Sequence, residues 1–274
     1  MLAPDRAALT TGVTLEYVEQ GQGSGVPVLL LHAYADSWRS FELVLSHLPK
    51  SVHAFAPSQR GHGDSDRPVD GYRPGDLVAD AAAFMDGVGL QAAVLVGSSS
   101  AGDIARRFAI DHPERTLGVV IVGGFHTFPA DSPAVLESRD TIAALTDPVD
   151  AAFAQEFTRS TVGDSVPPAF LDAMVRESCK VPAHVWREML QGLLETPPAT
   201  RTVHAPALII WGDQDSICPR SEQDALLAAM PSAELRVLPG AGHVVHWERP
   251  TEVAQDVAGF ALLQRRTISS PEAG

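Results

Sequence analysis

Cysteine is scarce in this sequence, and so are aromatic side chains, basic residues and long apolar runs. Two cysteines in 274 residues are too few for a disulfide scaffold and are typical of a reducing compartment, so we expect a cytoplasmic protein. No stretch approaches the ~18 uninterrupted apolar residues of a membrane-spanning helix. No long apolar segment follows a basic one near Met1, so we expect neither a membrane anchor nor a signal peptide.

The shortage of basic residues makes the chain acidic. Twenty lysines and arginines stand against 34 aspartates and glutamates, which gives a formal net charge of −14. Such a chain repels nucleic-acid phosphates and anionic membrane surfaces, so we expect neither as a partner. Hydrophobic residues make up 45% of the chain, enough for a large core in one domain. The composition leaves the oligomeric state open, a homo-oligomer included.

Most of the short apolar runs are continuous rather than alternating, which is typical of strands buried on both faces of a parallel sheet. The runs are 28–31, 52–56, 92–96, 119–122, 207–211 and 235–238. Helical patterns occur between and after them, at 38–48, 76–87, 99–111, 219–230 and 250–264. This alternation predicts an α/β fold with a mostly parallel, doubly wound sheet. Residues 13–19 alternate more and predict an antiparallel edge strand.

One region interrupts the alternation. Between residues 125 and 202 prolines are frequent, helix-like segments occur at 169–178 and 185–195, and no clear strand pattern is present. A connection of this length exceeds an ordinary loop. We therefore predict a core made of residues 1–124 and 203–274, with residues 125–202 inserted as a helical cap over one end of the sheet.

A serine-rich turn lies between the apolar run 92–96 and the helical pattern that follows it. Ser99 is flanked, two residues away on either side, by Gly97 and Ala101. A nucleophile elbow requires small residues at those positions, because its strand and helix approach closely. Ser100 also has small residues on both sides, so residue type leaves both serines open, although a glycine at the end of the strand favours Ser99.

Carboxylates and a histidine follow the next two predicted strands. Asp213 and Asp215 come after the run 207–211, and His243 comes after the run 235–238. A serine nucleophile needs a histidine base, and that base needs a carboxylate to hold its tautomer. Because functional groups gather beyond the carboxyl ends of parallel strands, we expect these side chains to meet at one edge. The chain order Ser, Asp, His is that of α/β-hydrolases.

Several landmarks of the chain resemble the α/β-hydrolase superfamily, in the branch of small cap-bearing esterases, lactonases and cofactor-free haloperoxidase-like enzymes. They are Leu31-His32-Ala33-Tyr34, residues 60–65 (RGHGDS), the elbow itself, His112-Pro113-Glu114-Arg115, residues 211–215 (WGDQD) and Gly242-His243. The resemblance implies Ser99 as nucleophile and His243 as general base. It also implies Asp215, rather than Asp213, as the acid that orients the base.

The same resemblance implies where an oxyanion is bound. The backbone N–H groups of Tyr34 and Ser100 correspond to the two donors of the family's oxyanion hole. Ala33 stands where the family usually has glycine. If that position requires a positive φ, alanine costs about 1 kcal/mol and the geometry of the hole changes.

Together these features predict hydrolysis of a small, uncharged carboxylic ester or lactone through an acyl-enzyme. Alternatives on the same fold are C–C bond hydrolysis, perhydrolysis and a lyase reaction. An alternative of another class is a small-molecule sensor with negligible turnover. The sequence has no glycine-rich nucleotide-binding motif and no cluster with metal-ligand spacing, so we expect no cofactor and no metal.

Overall fold

The structure, a computed structural model, describes residues 2–21, 23–163 and 165–269. Its strands are β1 (Asp5–Ala8), β2 (Thr14–Gln20), β3 (Val26–Leu31), β4 (Val52–Pro57), β5 (Ala93–Ser98), β6 (Thr116–Val122), β7 (Ala207–Gly212) and β8 (Ala233–Leu238). They form one eight-stranded sheet with the spatial order β1-β2-β4-β3-β5-β6-β7-β8. Each of the six continuous apolar runs lies in a strand of this sheet or overlaps one closely.

The strand directions confirm the predicted α/β fold with a mostly parallel sheet. β1 is antiparallel to β2, β2 is antiparallel to β4, and every other neighbouring pair is parallel. The antiparallel strand predicted over residues 13–19 is confirmed as β2, but its predicted position at the edge of the sheet is wrong. β1 covers β2 on that side, and it escaped prediction because its four residues are mostly exposed and carry no alternating apolar pattern.

Helices cover both faces of the sheet. They are α1 (Glu42–Leu45), α2 (Pro74–Gly87), α3 (Ser100–Asp111), α4 (Pro133–Ala143), α5 (Ala151–Ser160), α6 (Pro168–Lys180), α7 (Ala183–Glu195), α8 (Arg220–Ala229), α9 (Val245–Glu248) and α10 (Pro250–Ser269). Single 3₁₀ turns occur at Trp38–Phe41 and Pro113–Arg115. The helix predicted over 38–48 is therefore a 3₁₀ turn followed by α1, because the backbone at Phe41 (φ −100°, ψ 5°) leaves the helical region.

The continuous apolar runs arise because successive strand residues enter different cores. In β3, Val28 and Leu30 belong to the core that packs against α10, whereas Leu29 and Leu31 belong to the core formed with α2 and α3. Because both faces of the strand are shielded from solvent, apolar residues occupy both faces. Burial of these strands positions their carboxyl ends, where the candidate functional side chains lie.

Four helices, α4 to α7, lie between β6 and β7, and no strand occurs in the described part of this segment. The predicted helical segments 169–178 and 185–195 correspond to α6 and α7, whereas α4 and α5 were not predicted as helices. Trp186 of α7 is fully buried between rings of α5, with Phe157 at 4.9 Å and Phe153 at 5.2 Å between centroids. The division of the chain at residues 124 and 203 stays a prediction.

Over its described residues the protein has no helix that is both long enough and apolar enough to cross a bilayer.

Candidate active site

Ser99 lies at the sharp turn between β5 and α3. Its backbone has φ 48° and ψ −116°, a conformation that costs a non-glycine residue energy and that persists where the surrounding structure enforces it. The enforcing contact is the close approach of strand and helix. A Cβ atom at Gly97 would lie 2.1 Å from the carbonyl oxygen of Ala101, so only glycine fits there. The turn therefore presents the Ser99 hydroxyl beyond the carboxyl end of the sheet.

His243 reaches this hydroxyl from the loop that follows β8. Its Nε2 lies 3.0 Å from Ser99 Oγ, although the two residues are 144 positions apart in the chain. The loop can come this close because Gly123, just after β6, has no side chain. A Cβ atom there would lie 2.4 Å from the carbonyl oxygen of His243, and its φ of 58° also favours glycine.

Asp215, which follows β7, forms a hydrogen bond with the other ring nitrogen of His243. Its Oδ2 lies 2.9 Å from His243 Nδ1, and its Oδ1 accepts backbone N–H groups of Ile217 and Cys218 at 2.9 and 2.8 Å. The carboxylate is thus locked in one orientation and fixes the tautomer with Nδ1–H, which leaves Nε2 unprotonated toward the serine. Asp213 is engaged elsewhere, since its Oδ1 accepts the backbone N–H of Gly240 at 2.7 Å.

The two predicted oxyanion donors lie beside the serine, but one of them is engaged. Ser100 is the first residue of α3, where a backbone N–H has no intrahelical acceptor. The N–H of Tyr34 donates to Ser100 Oγ at 3.0 Å. Ser100 Oγ therefore bonds to Tyr34, whereas Ser99 Oγ is the one that contacts the histidine, and the geometry favours Ser99 as the nucleophile.

The alanine that replaces the usual glycine creates no strain at its own position. The backbone of Ala33 does not have a positive φ. The described non-glycine residues that do are Ala35 (φ 61°) and Ser99. The conditional cost at Ala33 does not arise, whereas the left-handed backbone of Ala35 costs about 1–2 kcal/mol. Ser178 of α6 stabilises that conformation by donating to the carbonyl oxygen of Ala35 at 3.0 Å.

Ser99, Ser100 and His243 open into a cavity of about 160 Å³ between the strand ends and the cap helices. Its wall is mostly apolar and is built by Phe125, Ile142, Phe157, Leu190, Leu193, Val244 and Trp247, among others. No lysine or arginine is among the residues that line it, and its titratable lining groups are Tyr34, Asp36 and His243. An apolar cavity with a few converging polar groups is the usual form of a small-molecule site.

Asp36 is a buried carboxyl group in this wall that sequence reasoning missed. Burial and the nearby Glu177 raise its pKa to about 8, against a bond from Ser40 Oγ that lowers it. Ser40 Oγ also lies 3.0 Å from His246 Nε2 and accepts Trp247 Nε1–H at 3.0 Å. Burial, with the neighbouring His243, lowers the pKa of His246 to about 3, so this second histidine is a neutral packing group rather than a base.

Glu248 is a second missed residue, and it ties the cap to the histidine loop. Its carboxylate oxygens accept the N–H of Gly242 at 2.9 Å and the N–H of Gly163, in the cap, at 3.2 Å. The side chain is buried. Because Gly242 precedes His243 directly, Glu248 helps to set where the imidazole sits. The one signal in the sequence was its position five residues after His243 on a short helix.

Asp215, Cys218 and His243 also offer three ligand atoms within 4.8 Å of one another, a spacing that a metal could use. In the described structure the carboxylate and the imidazole are bonded to each other instead. Burial and the nearby Asp215 raise the pKa of the Cys218 thiol well above its usual value, which disfavours the thiolate that a metal requires. The donor set fits a hydrogen-bonded pair better than a metal centre.

Comparison with known proteins agrees with this architecture. A family described as alpha/beta hydrolase fold matches residues 26–250. Among curated proteins, the chain is 29% identical over 253 residues to 2-hydroxymuconate semialdehyde hydrolase of Pseudomonas sp. (strain CF600), covering 87% of each chain. It is 26% identical over 268 residues to monoacylglycerol lipase abhd6-A of Xenopus laevis, covering 89% of this chain and 78% of the lipase.

Solved structures share the fold. A thermophilic esterase from Thermogutta terrifontis superposes with a TM-score of 0.82 at 23% identity, covering 96% of this chain and 99% of the esterase. The esterase RhEst1 from Rhodococcus sp. ECU1013 superposes with a TM-score of 0.81 at 24% identity, covering 95% of this chain and 99% of that one.

Proposed function

Because this chain belongs to the alpha/beta hydrolase fold family, we propose that it is a serine hydrolase of small, uncharged carboxylic esters or lactones. One observation carries the proposal. Asp215, His243 and Ser99 form a continuous line of hydrogen bonds, 2.9 and 3.0 Å long, that ends at a hydroxyl facing an apolar cavity. This is the arrangement that turns a weakly nucleophilic serine into an attacking group.

In the proposed mechanism, Ser99 Oγ attacks the ester carbonyl while its proton passes to His243 Nε2. Asp215 stabilises the imidazolium that forms, through the bond to Nδ1–H. The C–O bond to the alcohol then breaks as Nε2 returns the proton to the leaving oxygen. Water, deprotonated by the same nitrogen, attacks the acyl-enzyme and releases the acid with Ser99 restored.

The oxyanion of each tetrahedral intermediate is assigned to the N–H groups of Ser100 and Tyr34. The Tyr34 donor becomes available when Ser100 Oγ leaves it, since the two are bonded at 3.0 Å. A donor of this kind typically contributes ~3 kcal/mol to lowering the barrier.

An uncharged substrate is inferred from the lining of the cavity. An anionic group inside it would meet no lysine or arginine among the lining residues and would lie near the Asp36 carboxyl. Burial of a charge without a partner is strongly unfavourable. The wall instead offers aromatic and aliphatic side chains, which suit a short acyl or alkyl chain.

A fluorophosphonate probe tests the proposal directly, because it phosphonylates only an activated serine. We expect the adduct on Ser99 in the wild type and in Ser100→Ala, and none in Ser99→Ala, as located by peptide mass spectrometry. Turnover of p-nitrophenyl acetate and butyrate should follow the same pattern. An adduct on Ser100, or ester turnover that survives in Ser99→Ala, contradicts the assignment.

A second candidate, C–C bond hydrolysis, is favoured by one observation: the 29% identity to a relative named 2-hydroxymuconate semialdehyde hydrolase. The same serine and histidine can serve both reactions, so the site geometry does not separate them. A panel of p-nitrophenyl esters, γ-lactones and 1,5-diketones separates the two reactions. We expect kcat/KM to be highest for esters or lactones; a preference for diketones favours the second candidate.

A further inference from the structure

The cavity contains a polar group for which the proposed chemistry has no use. Asp36 lines the wall and is 7% exposed, and the described residues that line the cavity include no lysine or arginine. Ser40 Oγ donates to its Oδ2 at 3.0 Å. Within the described residues Oδ1 has no hydrogen-bond partner, so this oxygen is available to whatever occupies the cavity. A polar group in a mostly apolar cavity wall that lacks a protein partner calls for a ligand or a water molecule.

The bonds around Ser40 indicate where the proton of Asp36 resides. Ser40 has one hydroxyl proton and accepts Trp247 Nε1–H. If Ser40 donates to Asp36, the second bond to Ser40 Oγ must come from His246 Nε2–H. His246 Nδ1, which is buried without a partner, is then an unprotonated acceptor.

The opposite arrangement is less favourable. If Asp36 donates from Oδ2, Ser40 must donate to His246 Nε2, and His246 Nδ1 then carries a buried N–H with no acceptor. Buried N–H groups without acceptors are rarer than under-satisfied acceptors. The first arrangement therefore prevails, and it leaves only Oδ1 as the site of the acid proton.

Burial, together with the nearby charge of Glu177, keeps the carboxyl group neutral. Glu177 of α6 is buried near Asp36 and disfavours a second negative charge. Glu177 is itself compensated by Arg39 at 3.5 Å and Lys180 at 3.1 Å, so the cations belong to Glu177 rather than to Asp36. Burial is the larger influence and acts in the same direction, which raises the pKa of Asp36 to about 8.

We propose that Asp36 is a specificity-determining residue: its Oδ1–H donates a hydrogen bond to a neutral oxygen of the substrate, so that esters bearing an oxo, ether or hydroxyl oxygen are preferred over their hydrocarbon counterparts. This inference rests on the proposed function and names the substrate class of the same site. A site built to hydrogen-bond a substrate group discriminates strongly against an analogue that lacks the group.

The test compares two matched series of p-nitrophenyl esters, 4-oxopentanoate and 5-oxohexanoate against pentanoate and hexanoate. For each pair, the ratio of kcat/KM values is measured in the wild type, in Asp36→Leu and in Asp36→Asn. Division of one protein's ratio by another's cancels the intrinsic reactivity of the esters. A parallel series, 4-nitrobenzoate esters of 4-oxopentanol and pentanol, places the oxo group in the alcohol.

For at least one pair we expect the ratio to fall tenfold or more in Asp36→Leu. Asn keeps an acceptor for Ser40 and turns an N–H toward the cavity, so Asp36→Asn should stay within about threefold of the wild type. Ratios in Asp36→Leu equal to those of the wild type for every pair overturn the proposal.

A pH series decides the matter even if Asp36→Leu does not fold. The wild-type ratio should fall as the pH rises through about 8, because Asp36 then loses the proton that it donates. The ratio in Asp36→Asn should stay flat. An effect that is common to both esters of a pair cancels within each ratio, and the groups facing Asp36 (Glu177, and His246 through Ser40) are present in both proteins. A wild-type ratio that does not change between pH 6.5 and 9.5 also overturns the proposal.

The two proposals fail in different ways. If the serine hydrolase assignment is wrong, none of the esters, plain or substituted, is turned over in a Ser99-dependent manner. If only the role of Asp36 is wrong, turnover depends on Ser99 while all the ratios are equal among the three proteins.

Discussion

The cavity has two sides, and they are built on different principles. On the strand side, Ser99, Asp215 and His243 follow β5, β7 and β8, and each is held by polar contacts of about 3 Å. On the cap side, residues of α4, α5 and α7 form the wall mainly through apolar packing. Hydrogen bonds have narrow geometric tolerance, whereas apolar contacts accept other shapes of similar volume. The strand side should therefore be intolerant of substitution, and the cap side adjustable.

The largest effect should come from Ser99→Ala on the strand side. We expect kcat for p-nitrophenyl butyrate to fall by about 10⁴-fold or more, because no other described hydroxyl contacts His243 Nε2. The midpoint of thermal unfolding, measured by circular dichroism, should shift by no more than a few degrees. A large loss of stability together with the loss of activity would contradict this prediction, because it would mean that Ser99 also supports the fold.

Asp215→Asn should lower kcat by about 10³–10⁴-fold, since an amide cannot hold the tautomer that the carboxylate selects. Asp213→Asn is the matched control, two residues away on the same loop. Its carboxylate contacts Gly240 rather than the histidine, so kcat should remain within a few-fold of the wild type. Equal losses in both variants would mean that the loop, and not the bond to His243, governs activity.

Asp36→Asn should stabilise the protein, and the gain should depend on pH. The folded-state pKa of about 8 lies above the unfolded value of about 3.9, so the native state binds more protons between these values. Stability should therefore decline as the pH rises from about 4 to 8 in the wild type. Asn removes that decline, with a gain on the order of 4 kcal/mol at pH 7, since each of the roughly three pH units above the unfolded pKa contributes about 1.4 kcal/mol. Urea unfolding at pH 4.5, 6, 7 and 8 measures it, and equal gains at all four values would contradict the explanation.

Glu248→Gln tests the point where the two sides are joined. The variant places an amide against one of two backbone N–H groups, at Gly163 or Gly242, and should lose about 1–2 kcal/mol of stability. We expect kcat to fall about tenfold, because the loop that carries His243 is less restrained. Glu252→Gln, four residues along in α10, removes only a long ion pair with Arg249 (3.8 Å) at a partly exposed position and should alter neither quantity measurably. If the two variants behave alike, the contacts of Glu248 do not position the histidine.

Phe157→Ala should have the smallest effect on catalysis, because it alters only the cap wall. The ring packs against Tyr34 and Trp186, with centroids 5.7 and 4.9 Å apart, and its removal enlarges the cavity. We expect kcat for the acetate ester to change by less than about fivefold, while kcat/KM shifts in favour of hexanoate over acetate. Leu136→Ala, at an exposed position of α4, serves as the control. An unaltered chain-length profile in Phe157→Ala would argue that the wall does not select the substrate.

The contrast between the strand side and the cap side also explains which strands and helices could be predicted from the sequence. Strands such as β3 and β6 were predictable because burial on both faces makes them continuously apolar, which is a local property. β1 was missed because it is only four residues long, and α4 was missed because its apolar residues show little helical periodicity. α5 has a clear apolar face but was not singled out within the proline-rich segment. The 38–48 region has the apolar spacing of one helix, but its hydrogen-bond pattern changes at Phe41.

At the site, the residues placed directly after strands, Ser99, Asp215 and His243, do meet at one edge. The roles of Asp36 and Glu248 were not predictable. The pKa of Asp36 is raised by burial first and then by Glu177, which is 141 residues away, and Glu248 accepts a hydrogen bond from Gly163, which is 85 residues away.

The amino-acid sequence by itself determined the sheet, the elbow and the order of the three side chains, because hydrophobic pattern and strand-end position are written into consecutive residues. Only the tertiary structure decided the raised pKa of Asp36, the bond between Tyr34 and Ser100, and the shape of the cavity. Those properties depend on dielectric environment, proton placement and volume, and each arises where distant segments pack against one another.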